Sequence, residues 1–352
     1  MGARSIKIAA LAALLGLTVG AAPVMAAPTP ERRARLGIRY LVRQQNDNGS
    51  IVGLFNPIAD TADAILAMVA ARRGPDAIQD AIRFLRRHEE EINDIGEKAK
   101  MTMALIGAGR SPRSFANRNL VAEIKASKQG NGQYGNNPFS AVLDHALAML
   151  ALTGSDVDVP RATVKWLAEA QCPDGGWAFD QPHSAKDDDS CLRDTEDFTS
   201  SDTNTTGYAV MALNARSSTV PLRADPFAFF DTARDPFFGG WIYSPSNACE
   251  TRNETGFCYR TDASSTALVL QAYAAEQQTV PEGGESALMK LQVAKCGSNA
   301  GAFASGYEVE DGKARRAGPN TFATIQAVPA LMAKPFPLRP TSVSDAPPSG
   351  RC

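Results

Sequence analysis

The sequence predicts an all-α fold: an α6/α6 toroid of six helical hairpin repeats, with disulfide-stapled loops on one face. Three observations carry that prediction. A short segment returns six times, at intervals of about forty to sixty residues, and a repeat on that scale decides the architecture before any single residue does. Two kinds of helical pattern alternate with it, one with a polar stripe and one apolar on most faces. Six cysteines stand in a chain that opens with an export signal, which suggests a disulfide framework.

Residues 1–26 stand outside the fold. Arg4 and Lys7 precede an apolar run from Ile8 to Val19, and Val24-Met25-Ala26 offers small residues for cleavage. This reads as a secretory signal peptide, because the apolar core falls short of the roughly 20 residues a membrane span needs. No later segment is a candidate transmembrane span, so the mature chain is expected to be secreted or periplasmic. The formal charge is −2, and Arg4 and Lys7 leave with the signal, so the balance gives no case for nucleic acid.

The toroid is expected over residues 27–335. Its repeat is clearest at Trp166-Leu167, Gln171 and Gly175-Gly176-Trp177. An apolar pair leads to a Gln about four residues on and then to a Gly-x-aromatic turn. Fainter copies are Tyr40-Leu41 with Gln45 and Gly49-Ser50-Ile51, and Glu123-Ile124 with Lys128 and Gly132-Gln133-Tyr134. Two more are Phe229-Phe230 with Arg234 and Gly239-Gly240-Trp241, and Lys290-Leu291 with Lys295 and Gly301-Ala302-Phe303. The copy at Phe84-Leu85 with Glu89 has lost its turn. The glycines let the chain reverse tightly, and the aromatic ring packs back between outer helices. The Gln is expected to satisfy backbone groups of the next repeat. The unit is thus a scaffold device.

The helices follow in order. Arg35 to Gln45, Asp76 to His88 and Arg161 to Gln171 carry the apolar pair and form the outer ring. Ala62 to Ala71, Leu143 to Leu152, Thr205 to Ala215 and Ser264 to Ala275 are apolar nearly all round and form the inner ring. Aligned on their Ala-Leu ends, the inner helices start at Asp63, Glu97, Asp144, Thr205, Ser264 and Asn320. Five of these are standard N-cap residues. Asp60, Asp94 and Asp202 stand one turn earlier, near the positive end of the helix dipole.

Two repeats carry insertions between the Gly-Gly-Trp turn and the inner helix, about Pro182 to Ser201 and Ser244 to Arg260. Local spacing pairs Cys172 with Cys191 and Cys249 with Cys258, leaving Cys296 for Cys352. The last bridge would pin the Pro-rich tail of residues 336–352. The acidic run Asp187-Asp188-Asp189 could hold Ca2+, although its spacing matches no known loop. No zinc ligand set appears, and no cofactor is implied.

The repeated segments resemble the QW repeats of the terpenoid cyclase and protein prenyltransferase toroid family, over about residues 30 to 335. The resemblance implies a hydrophobic central chamber whose mouth is lined by inner-helix ends. Squalene-type cyclases start with a buried Asp-x-Asp-Asp at the head of an inner helix. The corresponding place here reads Asp202-Thr203-Asn204-Thr205. Asn204 stands at the proton-donating position, and an amide cannot act as that acid. Asp202 and Asp197 are the candidate displaced acids. Asn204, Tyr208, Asp144, His145, Asp60 and Asp262 are candidate ligand-binding residues around the mouth. Lys98 and Lys100 read as a solvated helix face. The resemblance and the lost donor together imply a toroid that binds a small hydrophobic, isoprenoid-like molecule or a partner protein. The alternatives are a terpenoid cyclase with a displaced acid, and a polysaccharide lyase or hydrolase using paired carboxylates.

Overall fold

The computed structural model describes residues 29–180, 200–293 and 296–344. The outer helices are α1 (Pro30–Gln44), α3 (Pro75–Arg87), α5 (Leu120–Ala126), α7 (Arg161–Glu169), α9 (Pro226–Thr232) and α11 (Gly284–Lys290). The inner helices are α2 (Pro57–Ala71), α4 (Ile95–Gly107), α6 (Ala141–Gly154), α8 (Thr203–Ala215), α10 (Ala263–Ala275) and α12 (Thr321–Leu331). Each inner helix packs on the next, and α12 returns to α2, so the inner ring closes. The chain is an α6/α6 toroid. Among the described residues, no helix is long and apolar enough to cross a membrane.

The repeated segment builds the joints between hairpins. Gln171 donates from Nε2 to the carbonyls of Gly175 (2.8 Å) and Ala224 (2.9 Å), while its Oε1 accepts from Arg223 N–H (2.7 Å). Gln45 spans Gly49 and Ala77 in the same way. The corresponding residue in the last repeat is Gln292, which reaches Gly301 and Arg33. Reading Lys295 into that place was a misregister. Gln292 and Arg33 also join the last repeat to the first. Arg234 does the Gln's work in the fifth repeat, donating to Glu282 O (2.7 Å) and lying over the Trp241 ring.

The turn glycines have φ values of +91° (Gly49), +99° (Gly132), +94° (Gly175) and +92° (Gly301). Each lies against a backbone carbonyl of the following repeat: Asp80, Ala162, Asp225 and Leu36, respectively. A Cβ would meet that carbonyl, so both conformation and space require Gly. Trp177 and Trp241 turn inward and donate from Nε1 to Leu167 O (2.8 Å) and Phe230 O (2.9 Å). Phe229 and Phe230 are fully buried, in keeping with the expectation of outer-helix packing for this aromatic run.

A second staple ties each intact turn to its inner helix. The N–H of the aromatic-position residue donates to a side chain there: Ile51 to Thr61, Trp177 to Thr206, Trp241 to Thr266 and Phe303 to Thr324. In the third repeat Tyr134 donates to His145 Nδ1 (2.9 Å). The second repeat lacks the turn. A cavity of about 410 Å³ lies at that joint, between Ser50, Pro57, Phe84 and His88.

The N-caps correct the sequence register. They are Asn56, Asp94, Asp202, Asp262 and Asn320, each accepting a backbone N–H at its helix start. Ser140 precedes α6 without a side-chain cap bond. Of the six expected starts only Asn320 is a cap. Alignment on the Ala-Leu ends slipped because the inner helices differ in length.

Candidate functional site

The staple fixes which face of each inner helix turns to the axis. Thr206 points outward to the Trp177 turn, so the opposite face of α8 carries Asn204, Tyr208 and Met211. The same spacing from Thr61 brings Asp63 to the axis, and from Thr324 brings Gln326. Contacts between helices agree with this placement. Lys100 Nζ on α4 lies 2.7 Å from Asp63 Oδ2 on α2, with side-chain exposures of 13 % and 6 %. Tyr208 lies beside this pair and hydrogen-bonds to Gln326.

The axis at this level is therefore polar, with groups from four inner helices. Burial works against the charge of Lys100, but the Asp63 carboxylate overrides it and holds the ammonium above the ordinary lysine range. Burial raises the Tyr208 phenol well above its usual value, and Asp63 adds to the shift. Above the pair hangs Phe55, 64 % exposed. Its ring is 5.7 Å from Lys100 Nζ and meets Phe322 edge-on at 5.0 Å. Asp60 holds that loop: its carboxylate accepts from Gly53 N–H (2.8 Å) and Phe55 N–H (3.4 Å). The result is a mouth with an apolar lip and a charged floor.

Acids ring this mouth at the inner-helix heads. Asp144 is pushed up to about 7 by burial and by Asp94. Oxygens of Asp144 and Asp94 lie 2.5 and 3.0 Å from the point a Gly96 Cβ would occupy, so Gly96 gives the two carboxylates room to approach. Burial also pushes Asp202 up to about 7. Its Oδ1 accepts Thr205 N–H (2.7 Å), and its Oδ2 is buried with no hydrogen-bond partner. The neighbouring Asn204 Oδ1 is also buried and unpartnered. Asp262 caps α10 in the same manner and is raised to about 6 by burial. Tyr243, Tyr259 and Phe257 form an aromatic ladder, with centroids 5.3 and 5.4 Å apart. Both tyrosine hydroxyls feel Asp202 and Asp262, and burial shifts both upward.

The predicted residues divide into three groups. Asn204, Tyr208 and Asp60 belong to the mouth. Asp202, Asp262 and Asp144 belong to its rim. His145 sits apart in the outer joint: its Nε2 faces Thr163 O (3.1 Å), and its ring lies between Tyr134 and Trp166. Both ring nitrogens are engaged, and burial lowers its pKa to about 3. Asp197 and the Asp187-Asp188-Asp189 run lie outside the described residues. The Cys249–Cys258 disulfide is present. Cys172 is disulfide-bonded, and its expected partner Cys191 lies outside the described residues, as does Cys352, expected opposite Cys296. Glu254 approaches Cys249 and Cys258, but those sulfurs are joined to each other and offer no thiolate.

Sequence reasoning missed Lys100 and Phe55. The expected solvated pair splits in the structure: Lys98 turns to Glu123 (3.2 Å), while Lys100 turns to the axis. The two-residue separation was itself a signal, since neighbours at that spacing point to different sides of a helix.

No family model and no curated protein matches this chain. Solved structures do match. An inactive variant of an α-1,6-mannanase from Salegentibacter, in complex with α-1,6-mannotetrose, aligns at a TM-score of 0.53 and 12 % identity. That alignment covers 87 % of this chain and 98 % of the mannanase. A type II terpene cyclase from Scytonema, in complex with its substrate geranylgeranyl dihydroxybenzoate, aligns at a TM-score of 0.52 and 13 % identity. It covers 86 % of this chain and 97 % of the cyclase. At these identities the likeness establishes the shared α/α toroid fold.

Proposed function

We propose that this toroid binds a small isoprenoid-like amphiphile at the axial mouth, with a neutral hydroxyl-type head on the polar floor. The observation that carries this reading is the juxtaposition of exposed Phe55 and half-buried Phe322 with the Lys100–Asp63 pair beneath them. An ammonium has three donors, and Asp63 takes one. Asn204 and Tyr208 border the same floor. An uncharged head suits it, because Asp60, Asp63, Asp94 and Glu97 surround Lys100 with acid. The terpene cyclase among the structural neighbours holds an isoprenoid substrate, which supports the choice of ligand class.

A second reading, acid-initiated cyclisation, is favoured by one feature. Asp202 is buried, raised to about 7 and carries an unpartnered oxygen, as an alkene-protonating acid requires. Against it stands Asp262, which caps the next inner helix with the same geometry. Repetition marks a scaffold role for both. Incubation of purified protein with linear isoprenoids separates the two readings. Recovery of unchanged isoprenoid is the binding outcome. Cyclised product that disappears in Asp202→Asn would overturn it.

A further inference from the structure

The end of the axis opposite the mouth is closed by the chain's own C-terminal segment. Phe336 is buried, its N–H donates to Met211 Sγ (3.4 Å), and its ring lies parallel to Tyr208 with centroids 6.4 Å apart. Pro337 and Leu338 fill the spaces beside Gly154 and Gly107, the last residues of α6 and α4. Farther on, Ser344 is held by Arg72 O (3.2 Å) and Arg73 (2.7 Å), and Arg339 pairs with Asp156 (2.9 Å). The segment thus inserts one aromatic ring into the barrel and straps itself across the helix ends.

Gln271 marks the same depth. It follows its staple, Thr266, by five residues, as Met211 follows Thr206, so it faces the axis at the level of Met211. Gln271 is fully buried, and neither its amide oxygen nor its nitrogen has a hydrogen-bond partner. Native cores seldom leave an amide in that state without a ligand or ordered water. The layer beside Phe336 therefore differs from a closed apolar core.

We infer that Phe336 sets the length of ligand that the axial site accepts, by filling from the closed end the space a longer apolar chain would enter. This rests on the binding reading given above and adds a specificity-determining residue to it. The mouth fixes the head of the ligand, and the Phe336 ring is the stop. Met211 and Met103 flank the path on α8 and α4, and methionine can repack around varied chains.

The test uses geraniol, farnesol and geranylgeraniol, titrated calorimetrically against the full chain and two variants. Phe336→Ala removes roughly the bulk of one isoprene unit and should move the preferred alcohol one unit longer, with about a tenfold gain for that alcohol. Phe336→Trp should move the preference the other way. The same order of affinities in all three proteins would overturn the inference while leaving the binding reading intact. Failure of every alcohol to bind the unaltered chain would overturn both. Should Phe336→Ala not fold, the shift in Phe336→Trp decides.

Discussion

Gln171 makes hydrogen bonds that no water can reach, to backbone groups on both sides of a joint. Replacing it with Ala leaves buried donors and acceptors unpaired, at about 1–3 kcal/mol. Gln171→Ala should therefore lower stability in urea denaturation without changing ligand binding. Titration adds a second test. Asp202 rises from 3.8 to about 7 on folding, so the unfolded chain loses this proton first. Its contribution costs stability as pH rises from about 4 to 7, and none below that window. His145 acts oppositely: its folded value near 3 lies below 6.5, so stability is lost as pH falls through that range. Asn also serves as an N-cap. Asp202→Asn should keep the cap, flatten the loss between pH 4 and 7, and be more stable than the parent at pH 8, all read from thermal melts. The Gln and its turn were legible in sequence because their chemistry repeats. His145 was not, because the same staple is made by threonine in the other four intact turns.

Elements show the same division. The alternation of striped and apolar helices was legible because burial on one side or on all sides leaves different patterns. The inner-helix starts were not, because Asp and Asn occur both as caps and one turn inside, and only the backbone bond tells them apart. Asp63 belongs to the second kind, and its partner Lys100 comes from the next repeat. Gly301 is the element-scale test of closure. Its positive φ and the nearby Leu36 carbonyl allow no side chain. Gly301→Val should cost more than Gly239→Val, since Gly239 has no atom within 4 Å of its Cβ position. The difference, about 2 kcal/mol or more, is measurable by equilibrium denaturation. Equal losses would mean that the last turn does not bear on α1.

At the scale of the whole molecule, six inner helices direct their N-termini to one face, where the exposed aromatics and the buried ion pair also lie. The resemblance led to an apolar chamber. The axis instead carries a polar floor and a plug from the chain's own tail. Tail and floor were illegible because both depend on contacts between distant repeats: Phe336 with Met211, and Lys100 with Asp63. Replacing Lys100 alone would strand a buried carboxylate and destabilise the fold. The paired change Lys100→Met with Asp63→Leu removes the floor while keeping the packing. Native mass spectrometry of the protein mixed with farnesol tests the central claim most directly. The account predicts a one-to-one complex for the parent chain and its loss, by tenfold or more, in the paired variant. Equal occupancy of both proteins would contradict a ligand site at the axial mouth.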